Sequence, residues 1–145
     1  MVKVLIKKLN PSVQLPTYKT SGASGMDLMA CIEKPINLEP GKSCLVSTGL
    51  SVAFPKEYEI QIRPRSGLAA KNNISVLNTP GTIDSDYRGE LKIILFNHGN
   101  KIFTINKNDR VAQMVLAPII KMELEETNEL PESVRGEGGF GSTGK

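Results

Sequence analysis

The sequence predicts an all-β fold, a jelly roll or distorted β-barrel with one short helix and a flexible glycine-rich C-terminal tail. Residues 57–63 alternate polar and apolar side chains, as a half-buried strand does. Short apolar runs are interrupted regularly by turn residues, for example at 39–42 and 97–100. Many short strands with regular breaks are typical of a sandwich or jelly roll.

Strand character recurs along the chain, and turn signals at 54–56 and 107–109 separate two of the later runs. The residues at 76–78 lead into the segment 81–90, and an apolar run follows it, so we expect 81–90 to form the tip of a β-hairpin. In chain order, the predicted strands are residues 2–8, 26–30, 43–52, 57–63, 74–77, 91–96, 102–105 and 110–117.

One helix is predicted, at residues 67–72, with Ser66 as its N-cap because a serine hydroxyl suits that position. From about residue 123 the composition changes to acidic residues, proline and glycine, which cannot build a core of their own. We therefore expect one domain, with a β core at 1–122 and a C-terminal arm at 123–145.

The bulk properties restrict the class of protein. A chain of 145 residues with 39% hydrophobic residues fits one domain, and its net charge of +3 is small. Its basic residues are scattered, which argues against a nucleic-acid or membrane surface but suits a small polyanionic substrate. Cys31 and Cys44 lack metal-ligand spacing, and we expect reduced thiols in a cytoplasmic protein. No segment is long enough to span a bilayer.

Acidic, aromatic and basic side chains crowd the segment 81–90. Asp84 and Asp86 lie two residues apart and would face the same side of an extended segment. One carboxylate could act as general base on a water while a cation holds the other. The alternative is a polar turn in which Asp supplies turn geometry, but the adjoining Tyr87 and Arg88 favour a functional role.

Two further regions supply groups that bind phosphate. Arg65-Ser66-Gly67 opens the predicted helix, where N–H groups attract anions and Arg65 adds a bidentate donor; an ordinary capped turn is the alternative. Residues 135–144 contain five glycines with Arg135 and Phe140, and could clamp phosphates and stack on a base; a flexible terminus is the alternative. Together the three regions indicate an enzyme acting on a nucleoside triphosphate.

Three single residues leave their roles open. Gln113 lies in an otherwise apolar strand and is either a packed amide or a ligand contact. Asp27 at a strand start is more often a structural turn acid than a metal group. His98 lies in a turn, and we expect a surface residue with no role.

Five segments, in this order, resemble the five motifs of the trimeric deoxyuridine triphosphatases (dUTPases): 23–30, 64–69, 81–89, 109–116 and 135–144. Asn108 and Met26 are small departures, since the family often has a glycine and an aromatic residue there. The resemblance implies a jelly-roll homotrimer that hydrolyses dUTP to dUMP and pyrophosphate by water attack on the α-phosphorus. It also implies active sites at subunit interfaces, and a role in limiting uracil in DNA and supplying dUMP for dTMP synthesis.

The resemblance also implies residue roles. Asp84 would activate the attacking water, Tyr87 would pack on the deoxyribose, and Asn78 would pair with uracil. Magnesium would be the cofactor, with Asp27 placing it through water. The implied phosphate and tail contacts are Arg65, Ser66, Gly67, Gln113, Arg135, Gly141, Ser142 and Thr143, with Phe140 covering the uracil.

Two rival functions remain compatible with the same fold. A dCTP deaminase would need a catalytic Glu placed to activate water against the base, whereas this segment offers Asp84 beside a tyrosine. A non-catalytic nucleotide-binding module would keep the tail clamp and bind dUTP without turnover. No substitution among the implied site residues indicates lost activity.

Overall fold

The computed structural model describes residues 1–139 and contains short antiparallel strands around one short helix. None of the helical structure in this range has the length and apolar character needed to cross a membrane. The elements are β1 (Leu5–Lys8), β2 (Met26–Met29), β3 (Ile36–Leu38), β4 (Ser43–Ser47), β5 (Leu50–Ala53), β6 (Tyr58–Arg63), α1 (Ser66–Asn72), β7 (Ile74–Val76), β8 (Gly81–Ile83), β9 (Lys92–Asn97), β10 (Phe103–Ile105) and β11 (Arg110–Pro118).

The strands form four antiparallel sheets whose neighbours are mostly distant in sequence. The largest has the order β2-β11-β6-β8, and a three-stranded sheet has the order β4-β9-β7. Two smaller sheets pair β1 with β5 and β10 with β3. A chain that crosses between sheets in this way wraps its strands around one core. The predicted all-β jelly roll is confirmed.

The core is built almost wholly from aliphatic side chains. Leu28, Val46, Ile93 and Leu95 have no exposed surface, and they come from both of the larger sheets. Phe54 contributes an aromatic ring at the edge of this cluster. Burying branched aliphatic residues at this density stabilises the fold mainly through the hydrophobic effect.

Two turns require backbone conformations that the residue types explain. Gly49 has a φ of 67° and separates β4 from β5, so the single strand predicted for 43–52 is in fact two. Asn108 has a φ of 66°, in the left-handed region that glycine favours and asparagine tolerates. Asparagine therefore fills a glycine-type position there without changing the turn.

The predicted hairpin at 81–90 is wrong in its topology. β7 and β9 do pair, with Val76 opposite Leu95, but the chain between them crosses to the other sheet. There Gly81–Ile83 forms β8 and pairs with β6. Asp84 then begins a turn, closed by the Tyr87 N–H donating to the Asp84 carbonyl at 3.1 Å. Asp84 and Asp86 therefore lie in a turn and not on an extended strand.

The helix forms where it was predicted, but its N-cap prediction is wrong. Arg65 is the N-cap, with extended backbone and no side-chain capping bond, and Ser66 is the first helical residue. The helix ends at Asn73, whose φ of 56° is left-handed and whose N–H donates to the Ala69 and Leu68 carbonyls. The Ser66 hydroxyl is therefore not committed to capping.

Both cysteines are free thiols, as expected, and each is only partly buried. Burial raises the pKa of the Cys44 thiol, so this group stays protonated at neutral pH.

Candidate active site

The first group of predicted site residues gathers around a carboxylate held between two arginines. Asp27 on β2 accepts from Arg65 Nε at 2.8 Å and from Arg110 Nη1 at 3.2 Å, one bond to each carboxylate oxygen. Arg65 Nη1 also donates to the Arg110 carbonyl at 3.2 Å. We call Asp27, Arg65 and Arg110 the arginine cluster. Its two cations and one anion leave a net positive charge at this end of the sheet.

Gln113 supports this cluster through the backbone. It lies opposite Asp27 on one side and Arg63 on the other, and its Nε2 donates to the Pro64 carbonyl at 2.9 Å. The side-chain amide therefore fixes the turn that carries Arg65. Its packing is close, because a Cβ at Gly25 would lie 2.6 Å from Gln113 Oε1.

Ser66 and Gly67 lie at the exposed start of α1, next to the arginine cluster. An added Cβ at Gly67 would meet no atom within 4 Å. The surface beside Arg65 is thus open, with two small residues that let a phosphate approach the backbone.

The second group surrounds the turn Asp84–Tyr87. Tyr87 Oη donates to the Glu90 carbonyl at 3.0 Å, which holds the ring across the turn. Asp84 is exposed and lines a cleft of about 200 Å³ together with Ile83 and Tyr87. Asn78, also exposed, lies against Gly81, where an added Cβ would be 3.2 Å from its Nδ2. A carboxylate, a ring and an amide therefore share this side of the molecule.

The described part of the C-terminal arm, residues 123–139, contributes little to either group within its own chain. Residues 121–137 are exposed, and Arg135 Nε donates to the Gly138 carbonyl at 2.6 Å, a local contact. Phe140, Gly141, Ser142 and Thr143 lie outside the described residues.

The Asp84 turn and the arginine cluster lie at opposite ends of β6, whereas Asn78, beside Gly81 and Ile62, lies nearer the cluster. Ile83 pairs with Ile60, so Asp84 follows opposite Glu59, whereas Gln113 pairs with Arg63 at the other end. The four residue-to-residue steps of strand from 59 to 63 span roughly 13 Å, and Arg65 lies beyond them. One chain therefore does not bring the Asp84 carboxylate to the arginine cluster.

Two residues of the site were missed from the sequence. Arg110 belongs to the fourth motif but was given no role, because its contact with Asp27 depends on how β2 and β11 pair. Glu90 was also unassigned: its carboxylate accepts from the Gly49 N–H at 2.9 Å and fixes the segment that holds Tyr87. The sequence signal for Arg110 would have been a charged residue at the start of a predicted strand, near a predicted site.

Comparison with known proteins gives the family. The sequence model of the dUTPase family matches residues 12–144. The chain belongs to the dUTPase family. Among its relatives, the deoxyuridine 5'-triphosphate nucleotidohydrolase of Hydrogenobaculum sp. is 52% identical over 143 residues, covering 99% of each chain. That of Bdellovibrio bacteriovorus is 56% identical, covering 98% of this chain and 96% of its own.

Solved structures of this family have the same fold. The dUTPase of Staphylococcus bacteriophage 80alpha, bound to dUPNHPP, superposes with a TM-score of 0.89 at 26% identity and covers 99% of each chain. A G164S variant of the same phage enzyme, with dUpNHpp, gives the same TM-score at 25% identity. These names favour a triphosphate hydrolase over the predicted deaminase alternative.

Proposed function

We propose that this dUTPase hydrolyses dUTP to dUMP and pyrophosphate at sites that neighbouring subunits build together. The observation that carries the proposal is the separation of the Asp84 turn from the arginine cluster along β6. A base that activates water for attack on the α-phosphorus has to lie within hydrogen-bond reach of the reacting groups. We therefore infer that the Asp84 turn of one subunit meets the arginine cluster of another, in the homotrimer that the family resemblance implies.

In this proposal the Asp84 side of the site recognises the nucleoside. Asp84 orients the attacking water and takes its proton, which an exposed carboxylate in a cleft can do. Tyr87 packs on the deoxyribose and excludes a 2′-hydroxyl, because its ring is held in place by the Glu90 carbonyl. Asn78 and the nearby backbone pair with uracil, and a steric clash rejects a 5-methyl group.

The arginine-cluster side of the site binds the phosphates. Arg65 supplies a directed charge, Gln113 holds the turn that carries it, and the open helix start at Ser66 and Gly67 lets phosphate reach backbone N–H groups. Such contacts stabilise charge that builds on the triphosphate as the bond to the α-phosphorus breaks.

The arm at 123–145 closes over a neighbouring subunit's site. Its apolar side chains support this role, since Ile120, Met122 and Leu124 just before and within it are 97%, 85% and 86% exposed in their own chain. Alternating exposed apolar residues suit an extended segment that packs on another surface. Arg135, Gly141, Ser142 and Thr143 then contact the phosphates, and Phe140 covers the uracil.

Family membership implies magnesium, and the described residues do not form a direct protein site for it. No group of three His, Cys, Asp or Glu side chains among residues 1–139 could hold a metal ion. Both Asp27 oxygens bond arginines, and a magnesium contact through water would leave these bonds in place. Magnesium bound to the triphosphate oxygens would supply charge neutralisation.

The mechanism is tested with the Asp84→Asn variant. The amide keeps the size of the side chain but cannot take a proton, so we expect dUTP binding within about threefold of wild type and turnover lower by roughly three orders of magnitude. Steady-state kinetics with dUTP and titration with a non-hydrolysable imido analogue measure both. Near-normal turnover would remove Asp84 from the mechanism.

Product analysis separates the rival functions. The wild-type protein with magnesium is offered dUTP, dCTP, dTTP and UTP separately, and we expect only dUTP to be consumed, giving dUMP and pyrophosphate. Ammonia from dCTP would support a deaminase, and binding of dUTP without turnover would support a binding module.

A further inference from the structure

The carboxylate of Asp27 connects Arg65, which has a proposed substrate contact, to Arg110, which has none. Its Oδ1 accepts from Arg65 Nε and its Oδ2 from Arg110 Nη1. The Asp27 side chain is 20% exposed and that of Arg65 23%, whereas that of Arg110 is 53% exposed. The Asp27–Arg65 ion pair is thus more shielded from solvent than Arg110. Charge-assisted bonds to both oxygens leave the carboxylate one orientation.

An irregularity in β11 is what turns Arg110 toward Asp27. Gln113 pairs with Asp27 and Ala112 with Leu28, but Arg110 and not Val111 pairs with Met29. Because side chains alternate between the faces of a strand, this one-residue shift moves Arg110 onto the face shared by Asp27 and Met29. Without the extra residue Arg110 would be directed to the opposite face.

The hydrogen bonds of Arg65 show which part of its guanidinium is left for a ligand. Nε donates to Asp27, and Nη1 donates to the Arg110 carbonyl. Within residues 1–139 these two bonds leave Nη2 as the uncommitted nitrogen of the group. Asp27 and Arg110 thus hold the guanidinium through Nε and Nη1 and leave Nη2 for a ligand.

Electrostatics explain why the carboxylate needs both arginines. The charges of one arginine and one aspartate would cancel, and the anion would weaken phosphate binding nearby. A second cation restores a net positive charge while still allowing Asp27 to orient Arg65.

We propose that Arg110 is a positioning residue, which acts through Asp27 to fix Arg65 for phosphate binding. This inference rests on the proposed phosphate role of Arg65. It differs from a direct role, because Arg110 is expected to matter only while Arg65 is present.

A double-mutant cycle tests the coupling. Arg110→Gln removes the charge and the bond to Asp27, and we expect the KM for dUTP and the Kd of the imido analogue to rise about tenfold, with kcat within about threefold. In the Arg65→Gln background the same change should cost less than about twofold, because nothing remains to be positioned. Additive losses in the two backgrounds would overturn the proposal.

Controls separate positioning from other roles. Arg63→Gln removes a nearby exposed arginine that bonds Gln61 and not Asp27, so binding should stay within about twofold. Arg110→Lys keeps the cation and should restore most of the binding lost in Arg110→Gln. A loss of binding in Arg110→Lys as large as that in Arg110→Gln would contradict the proposal.

The metal gives a second readout. Analogue binding is repeated in EDTA, where the losses in Arg110→Gln and Asp27→Asn should persist because the arginine cluster needs no metal. Disappearance of the Asp27→Asn effect in EDTA would mean that Asp27 acts through magnesium, and the proposal would fail. Normal analogue binding by Arg65→Gln alone would instead remove the phosphate role on which the inference rests.

Discussion

Tyr87 lies so closely over Gly89 that a side chain at position 89 would displace the tyrosine ring. A Cβ there would overlap the tyrosine hydroxyl and lie 2.8 Å from Cε2, and moving the ring away would break its bond to the Glu90 carbonyl. The backbone of Gly89 is not in the left-handed region, so the requirement is one of space. Position 89 thereby controls the Tyr87 ring, which we propose faces the sugar.

We expect Gly89→Ala to displace Tyr87 and weaken sugar discrimination. The kcat/KM for dUTP should fall roughly tenfold to a hundredfold, with a smaller fall for UTP, because misplacing a positioning group costs transition-state binding. Steady-state kinetics with the two nucleotides give the ratio. Gly22→Ala is the control, since a Cβ there meets nothing within 4 Å. An unchanged dUTP-to-UTP ratio would argue that Tyr87 does not read the sugar.

Residue types at the site could be predicted better than residue orientations. The motif resemblance selected Asp27, Arg65 and Gln113, and the structure brings these three together at one end of β6. Arg110 escaped because its direction depends on a shift in strand pairing, which is a non-local property that no sequence period records.

At the scale of elements, one buried amide joins three parts of the chain. Asn97 at the end of β9 is fully buried, and its Nδ2 donates to the Leu38 carbonyl at 2.9 Å and the Lys101 carbonyl at 2.8 Å. Its Oδ1 accepts from the Gly99 N–H at 2.9 Å. The end of β3 and the turn after β9 therefore depend on one side chain.

We expect Asn97→Ala to destabilise the protein by about 2–4 kcal/mol. The change leaves three backbone groups without their partner and creates a small cavity. Chemical denaturation of the variant and wild type at equal protein concentration measures the difference. Asn100→Ala in the same turn is an exposed control and should change the free energy of unfolding by less than about 0.5 kcal/mol. A loss below about 1 kcal/mol in the Asn97 variant would mean that water replaces the amide.

Strand positions were largely predictable, whereas sheet membership was not. The alternation at 57–63 gave β6 almost to the residue. β3 and β8, each of three residues, are too short to show a period, and β8 joins a sheet different from that of its sequence neighbours β7 and β9. Pairing partners are chosen by the core as a whole, so local patterns cannot assign them.

At the scale of the whole molecule, residues 1–139 leave apolar surface that they do not cover themselves. A groove of about 380 Å³ over the β2-β11-β6 face is lined by Val2, Met26, Ile60, Met114 and other apolar side chains. The exposed apolar residues at 120, 122 and 124 leave the same sheet after β11. Both features support an assembly in which chains cover one another.

We expect two variants that are each poorly active at low dUTP concentration to restore each other's activity when mixed. Asp84→Asn and Arg65→Gln chains, unfolded together and refolded at equal amounts, should regain about a quarter of the wild-type sites, since each intact site needs one unaltered group from each of two chains. Turnover is measured beside each variant refolded alone. A mixture as inactive as its components would contradict a site shared between subunits.

The placement of Asp84 and Arg65 at the two ends of β6 also determines how natural variation should be correlated. In the proposed assembly, substitutions near residue 84 and near residue 65 should respond to each other through a neighbouring molecule, although both belong to one polypeptide. Covariation between these positions across related sequences would then record a distance between chains. A folding calculation that treated it as an intrachain restraint would pull the two ends of β6 together.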